Sequence, residues 1–294
     1  MTDHYAGTAA GWARSVSRVY GPLARELVAA SPVPLTGAAT LDLGAGTGLV
    51  SAALSAAGAR PVALDRSPDM LRWRREERPP AAVADAIRLP VRTDAVQAAF
   101  AAFLLNHLPD PAPALRELAR VTRPGGAVLA TVYANSGTSP VRDRVDEVAL
   151  AHGFRWPEWY LQLRDVWAPR IGTAEAMADA ARTAGLVAAR AVEHSSDVGL
   201  TEPEEFVDYR YQQAHCREWI SQLPADRRAA LRAAAIAAIE PIMEPYRRGS
   251  SGWSRGPGDA TGSARGSSLG VVCWVGRGRW PWHRRMTGCS VPAR

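Results

Sequence analysis

Two carboxylates and a run of glycines carry the chemistry of this chain. Asp42 stands two residues before Gly44, and Gly44, Gly46 and Gly48 alternate through the next five positions. Glycines at that spacing let a backbone turn sharply and approach a ligand without Cβ clashes. Amides exposed at the helix start that follows favour an electron-rich group. Asp65 lies 21 residues beyond Gly44, the distance at which an acid can hydrogen-bond both hydroxyls of a ribose. A dinucleotide fingerprint would need a third glycine three places after the second. Leu49 stands there, so the dinucleotide spacing fails. The plainer reading is an ordinary strand, turn and helix with a surface Asp.

The elements that must position these groups follow from periodicity. Residues 40–43 supply β-branched and apolar residues for a buried strand, and Leu49, Val50, Ala53, Leu54 and Ala57 follow helical spacing. Gly58 closes that helix. Residues 61–65 form a second strand ending in Asp65, and Ser67 with Pro68 opens a helix as cap and first residue. A short third strand, 82–84, leads to Asp85. A fourth, 96–105, runs into a loop. A helix over 112–122, a tight Arg123-Pro124-Gly125-Gly126 turn and a fifth strand over 127–133 complete the pattern. Strands alternating with helices predict an α/β fold: a doubly wound, mostly parallel, Rossmann-like sheet with helices on both faces and helical lid insertions. Ahead of it, residues 5–30 predict a helical stretch with Tyr5, Trp12, Val16, Val19, Tyr20 and Leu23 inward, ended by Pro32 and Pro34.

The ordered series of glycine turn, strand-two acid, Asp85-Ala86 pair and RPGG turn resembles the small-molecule class I methyltransferases, particularly the type 11 group. The matches cover roughly residues 40–133. The resemblance implies S-adenosyl-L-methionine as cofactor, with Asp42, Gly44, Ala45 and Gly46 along its methionine portion. It implies Asp65 on the ribose with Arg66 beside it, Met70 near the adenine, and Asp85 and Ala86 at the adenine edge. Phe103 and Leu104 would close over the sulfonium side. Tyr5 and Trp12 stand where that family's N-terminal aromatic helix caps the pocket. His107 and Tyr5 are the candidate catalytic bases. Each also has a plainer reading: Asp85 as a solvated turn acid, Met70 and Trp12 as core, His107 as a loop histidine. His152, His194 and His215 read as structural or surface residues.

Residues 135–170 leave the sheet carrying Phe154, Trp156, Trp159, Tyr160 and Trp167. A helix over 173–184 and a sixth strand over 186–194 follow. Thr201 is the expected cap of a helical stretch bearing Phe206, Tyr209, Tyr211 and Trp219, and a further helix spans 225–239. Ligands of such folds bind beyond the carboxyl ends of the strands. These aromatics therefore suit an apolar or aromatic acceptor pocket, or they glue the lid to the sheet. The expected division is a methyltransferase domain over 1–248 and an atypical tail over 249–294. The domain comprises an N-terminal cap 1–34, a core 35–134 and 171–196, and lid segments 135–170 and 197–248.

With 294 residues, 47% of them hydrophobic, the chain can bury a sizeable core. No run approaches the roughly 18 apolar residues of a membrane span, and no signal peptide is visible at MTDHYAGTAAGWARS. Three cysteines, Cys216, Cys273 and Cys289, suit a reducing cytoplasm, and no metal-ligand spacing appears. Every basic residue is Arg. Residues 250–294 hold seven Arg and one Asp, which accounts for the whole net charge of +6. The body is therefore formally neutral, and nucleic acid is not an expected partner. The Gly, Ser, Arg and Trp-rich tail lacks a sustained period. Val271–Val275 can serve as a final antiparallel strand after a long loop. The abrupt change of composition favours an out-of-frame or aberrant ending, with a basic arm for an acidic partner as rival.

The expected activity is transfer of a methyl group from S-adenosyl-L-methionine to an O, N or C atom of a small apolar or aromatic acceptor. The alternative is a non-catalytic subunit that binds the same cofactor. A nicotinamide-dependent oxidoreductase is disfavoured by Leu49 and by the lack of any Lys for a Ser/Tyr/Lys hydride-transfer set.

Overall fold

The computed structural model describes residues 3–136, 139–196, 198–248 and 268–276. The chain opens with α1 (Ala9–Gly11), a π-helical turn over Trp12–Val16 and α2 (Ser17–Ala29). Then come β1 (Ala39–Leu43), α3 (Leu49–Ala56), β2 (Arg60–Asp65), α4 (Pro68–Arg72) and β3 (Ala81–Val83). They are followed by β4 (Val96–Ala102), α5 (Ala112–Val121) and β5 (Thr122–Tyr133). A helical cover of α6 (Pro140–Ala151) and α7 (Glu158–Leu161) leads to α8 (Ala174–Thr183) and β6 (Arg190–Ser196). The second cover is α9 (Pro203–Tyr211), α10 (Ala214–Gln222) and α11 (Ala225–Arg248), and β7 (Ser268–Gly276) is last.

The strands form one sheet in the order β3-β2-β1-β4-β5-β7-β6. The first five pair in parallel; β7 runs antiparallel between β5 and β6. The chain leaves β3 at one edge and returns to β4 on the far side of β1. That reversal opens a crevice beyond the carboxyl ends of β1 and β4. Alternation along the strands builds a core on each face. Ala98, Phe100 and Leu129 pack with Leu27 of α2 and Val50 and Leu54 of α3. Ala99, Val128 and Val132 pack on the other face with Leu115 and Leu118 of α5 and Met177 of α8. A third core lies inside the cover, where Val145, Phe154, Val207, Leu231 and Ile239 meet. No helix among the described residues is long and apolar enough to cross a membrane.

Several local expectations shift. The Arg123-Pro124-Gly125-Gly126 turn falls inside β5: Val96 pairs Thr122 and Ala98 pairs Ala127, so the extra residues form a bulge. Gly125, at φ +75°, supplies its left-handed step. The fourth strand stops at Ala102, because Phe103 takes φ +53° and a 3-10 turn spans Leu105–His107. The sixth strand starts at Arg190, later than its apolar pattern suggests. Thr201 is not a cap. Pro203 fixes the first helical position and pushes Glu202 to an extended conformation, which makes Glu202 the N-cap. An extended Gln213 divides the aromatic stretch into α9 and α10. The last helix runs to Arg248 through Pro241 and Pro245. Val271–Val275 lie within β7. Residues 249–267 and 277–294, on which the aberrant-ending and basic-arm readings mostly rest, lie outside the described residues.

Candidate active site

Gly44, Gly46 and Gly48 adopt φ of +72°, +51° and +96°, left-handed values that only glycine reaches without strain. Side chains would also collide: a Cβ on Gly44 would come within 3.0 Å of Leu104 Cβ. The turn is tied to the neighbouring strand, with Gly44 N and Ala45 N donating to Leu64 O at 2.8 and 3.1 Å. The Asp65 carboxylate holds it from the side. Its Oδ2 accepts from Gly46 N at 2.7 Å and its Oδ1 from Ser67 N at 2.8 Å, so it joins the turn to the start of α4. Burial raises the Asp65 carboxyl above its ordinary range, and the two backbone N–H groups oppose that rise. Each oxygen keeps lone-pair capacity for a ligand hydroxyl.

Asp42 is placed behind this cradle. It is 1% exposed and accepts from Ser51 Oγ, in the first turn of α3, at 2.5 Å. Burial pushes its carboxyl up to about 6. It fastens the helix that follows the turn and does not face the crevice. Asp85 also stays outside: its exposed carboxylate accepts from Ile87 N at 3.2 Å, a local Asx turn. The methyls of Ala84 and Ala86 line the crevice in its place.

Gly44, Ala45, Gly46, Asp65, Arg66 and Met70 line a single cavity. Phe103, Leu104, His107, Tyr5 and Trp12 line it with them, Leu104 packed against Gly44. Met70 is 3% exposed, packs beneath the turn and forms part of the cavity wall. The N-terminal segment covers the mouth. Asp3 accepts from Ser67 Oγ at 2.7 Å, and Gly7 N donates to Asp69 at 2.8 Å, so the segment is latched to α4. Tyr5 thereby reaches His107, with Oη 3.5 Å from Nδ1. Burial pushes the His107 imidazole down to about 4 and raises the Tyr5 phenol, helped by the Asp65 charge. Near neutral pH the pair is an uncharged imidazole beside an uncharged phenol.

An aromatic wall continues inward. Trp12 packs on Tyr5 and Tyr20 with centroids 5.7 and 5.3 Å apart, and Tyr20 sets its edge to Phe103 at 4.9 Å. Trp12 sits in the π-helical turn, whose extra residue re-aims the side chain. Phe103 holds a left-handed backbone, fixed by its N–H donating to Thr131 O at 2.7 Å. Tyr20, an inward candidate from helical spacing, lines the cavity, a distinction that spacing cannot make. None of Phe154, Trp156, Trp159, Tyr160 and Trp167 lines the cavity. Phe154, Trp156 and Tyr160 stack with Trp219 and His215 instead. Phe154, Trp156 and Tyr160 therefore pack within the cover, while Trp159 stacks on His4 of the N-terminal segment at 4.5 Å.

Residues 41–130 match the family described as a methyltransferase domain. Over 109 residues the chain is 41% identical to a demethylmenaquinone methyltransferase of Mycolicibacterium paratuberculosis, covering 33% of this chain and 47% of that protein. The chain spans about half the length of the curated relatives it matches. Among solved structures, a chain in the complex of the Haloferax volcanii Trm112 methyltransferase activator superposes with a TM-score of 0.57. It is 20% identical, and the match covers 95% of this chain and 98% of that one. Haemonchus contortus phosphoethanolamine N-methyltransferase 2, solved with phosphomonomethylethanolamine and S-adenosylhomocysteine, superposes with a TM-score of 0.53. It is 17% identical, covering 87% of this chain and 52% of that one.

Proposed function

We propose that the chain, whose residues 41–130 match a methyltransferase domain, is a class I, S-adenosylmethionine-dependent methyltransferase that acts on a small apolar or aromatic acceptor. The observation that carries this reading is the cradle itself: a cavity lined by the left-handed Gly44 and Gly46, the Asp65 carboxylate, and the rings of Tyr5, Trp12, Tyr20 and Phe103.

The residues present fit the cofactor. Asp65 offers acceptors for ribose hydroxyls, Ala84 and Ala86 offer a flat apolar edge for a base, and Gly44 to Gly46 leave room for a main-chain approach. S-adenosylmethionine supplies a methyl group already attached to a good leaving group. What remains for the protein is to align an acceptor atom and to exclude water. Alignment contributes on the order of 7–11 kcal/mol. A general base adds about 10²–10⁴-fold, so positioning dominates. Phe103 and Leu104, the latter packed against Gly44 of the turn, are the residues we assign to the sulfonium side. His107 and Tyr5 are the pair we assign to an acceptor proton: the imidazole nitrogen can accept it, and the phenol orients the ring. The aromatic wall supports the acceptor class, as do the curated relatives that are demethylmenaquinone methyltransferases. The non-catalytic alternative is not favoured, because the matched relatives carry methyltransferase names.

Thermal shift and calorimetry with S-adenosylmethionine, S-adenosylhomocysteine and NAD test the cofactor. Turnover to S-adenosylhomocysteine across a panel of phenols, quinols and amines tests the reaction. Stabilisation by NAD alone would refute the proposal.

A further inference from the structure

Arg78 belongs to none of the motifs, yet its side chain reaches the middle of the cradle. It follows α4 and a 3-10 turn over Arg75–Glu77. Its Nη1 donates to three carbonyls at once: Gly46 at 3.2 Å, Met70 at 3.2 Å and Leu71 at 3.1 Å. The last two belong to the end of α4, where carbonyls lack helical partners. Gly46 is consequently held between opposite charges: its N–H points to the Asp65 carboxylate and its C=O to the Arg78 guanidinium.

We infer that Arg78 is a positioning residue of the cofactor cradle, clamping the Gly44–Gly48 turn to α4 through the Gly46 carbonyl. It touches none of the reacting groups. Its Nε and Nη2 are buried without a hydrogen-bond partner. The compensation for its charge comes at longer range from Asp42 and Asp65, and Arg78 in turn favours their ionised forms. Around Asp65 also stand Asp3 and Tyr5 from the N-terminal segment, Asp42 from β1 and Arg66, which lines the same cavity. Arg78 thus adds a favourable charge to a carboxylate that the Ser67 and Gly46 N–H groups already favour in its ionised form. Lysine would retain the charge but lose the planar fork; glutamine would lose the charge.

The inference rests on reading this cavity as the S-adenosylmethionine site. The test is calorimetric titration of the full chain, wild type, Arg78→Lys and Arg78→Gln, with S-adenosylhomocysteine near pH 8 and pH 6. Arg78→Gln is expected to bind about tenfold more weakly near pH 8, the loss of one charge-assisted contact. It should then lose further affinity toward pH 6 more steeply than wild type, because Asp65 protonates sooner. Arg78→Lys should weaken binding by a smaller factor and keep the wild-type pH dependence. Wild-type affinity in both variants overturns the role. So does a loss in Arg78→Gln with an unchanged pH dependence, which would mark a merely structural residue. If Arg78→Gln does not fold, Arg78→Lys decides alone, and undiminished affinity in it overturns the inference. If wild type binds neither S-adenosylmethionine nor S-adenosylhomocysteine, the cofactor reading fails and the inference falls with it.

Discussion

Asp42 and Asp65 show how two acids of one motif divide their tasks. Asp65 faces the cavity and holds Gly46 N, so Asp65→Ala removes both a cradle support and a ribose acceptor. A charge-assisted hydrogen bond contributes roughly 1.5–3 kcal/mol. Calorimetry should therefore show S-adenosylhomocysteine binding weakened by about tenfold or more; unchanged affinity would exclude the ribose role. Titration separates Asp42 from His107. Burial holds the folded His107 near 4 against an ordinary 6.5. As pH falls from 6.5 toward 4, the unfolded chain binds a proton that the folded chain refuses, and stability is lost in that window. Asp42 runs the opposite way. Its folded carboxyl is raised to about 6 from 3.8, so its contribution is present below 3.8 and is lost as pH rises through 6. His107→Asn removes only the first effect. Relative to wild type, it should gain up to about 2 kcal/mol between pH 7 and pH 5 in urea unfolding.

Helices and strands obeyed local rules wherever those rules involve near neighbours. Ser67 caps α4 as its spacing suggests, accepting from Met70 N at 3.4 Å, and Thr173 caps α8, accepting from Ala176 N at 3.1 Å. Thr201 failed because Pro203 dictates the backbone ahead of it. The cover helices have a device that no spacing reveals. Arg210 of α9, 5% exposed, makes a two-pronged ion pair with Asp146 of α6, both contacts at 2.7 Å. A third bond runs to Gln213 at 2.6 Å. Arg210→Met would leave Asp146 buried without its partner, a change that costs about 3–5 kcal/mol. Urea unfolding should show that loss, and Arg210→Met with Asp146→Leu should recover most of it. A single variant as stable as wild type would mean the pair is dispensable.

At the scale of the whole molecule, the sheet depends on its last strand. β7 pairs with β5 from Ala127↔Gly276 to Tyr133↔Gly270, and with β6 from Arg190↔Trp274 to Ser196↔Ser268. A chain ending at residue 248 would leave both neighbours with unpaired edges. Unpaired edges template association between chains. The shortened chain should therefore elute as oligomers or aggregate, and a monomer with wild-type melting temperature would show that β6 and β7 are not needed. The switch between β1 and β4 belongs to this scale too, since it sets two loops 60 residues apart in sequence around one cavity.

The glycine turn, its two acids, the alternating strands and the doubly wound class were legible in the sequence. Each is encoded by backbone preference or short-range period, which operates within a few residues. The sequence also placed the cavity face of the turn and the candidate pair Tyr5 and His107. Only the tertiary structure decided that Asp42 supports the cradle from behind, that Asp85 turns to solvent, and that Tyr20 joins the wall while Phe154, Trp156 and Tyr160 of the cover face one another. Only it brought Arg78 beneath Gly46. Those outcomes depend on which surfaces meet when the chain closes, and contacts such as Tyr5 to His107, 102 residues apart, leave no periodic trace along the chain.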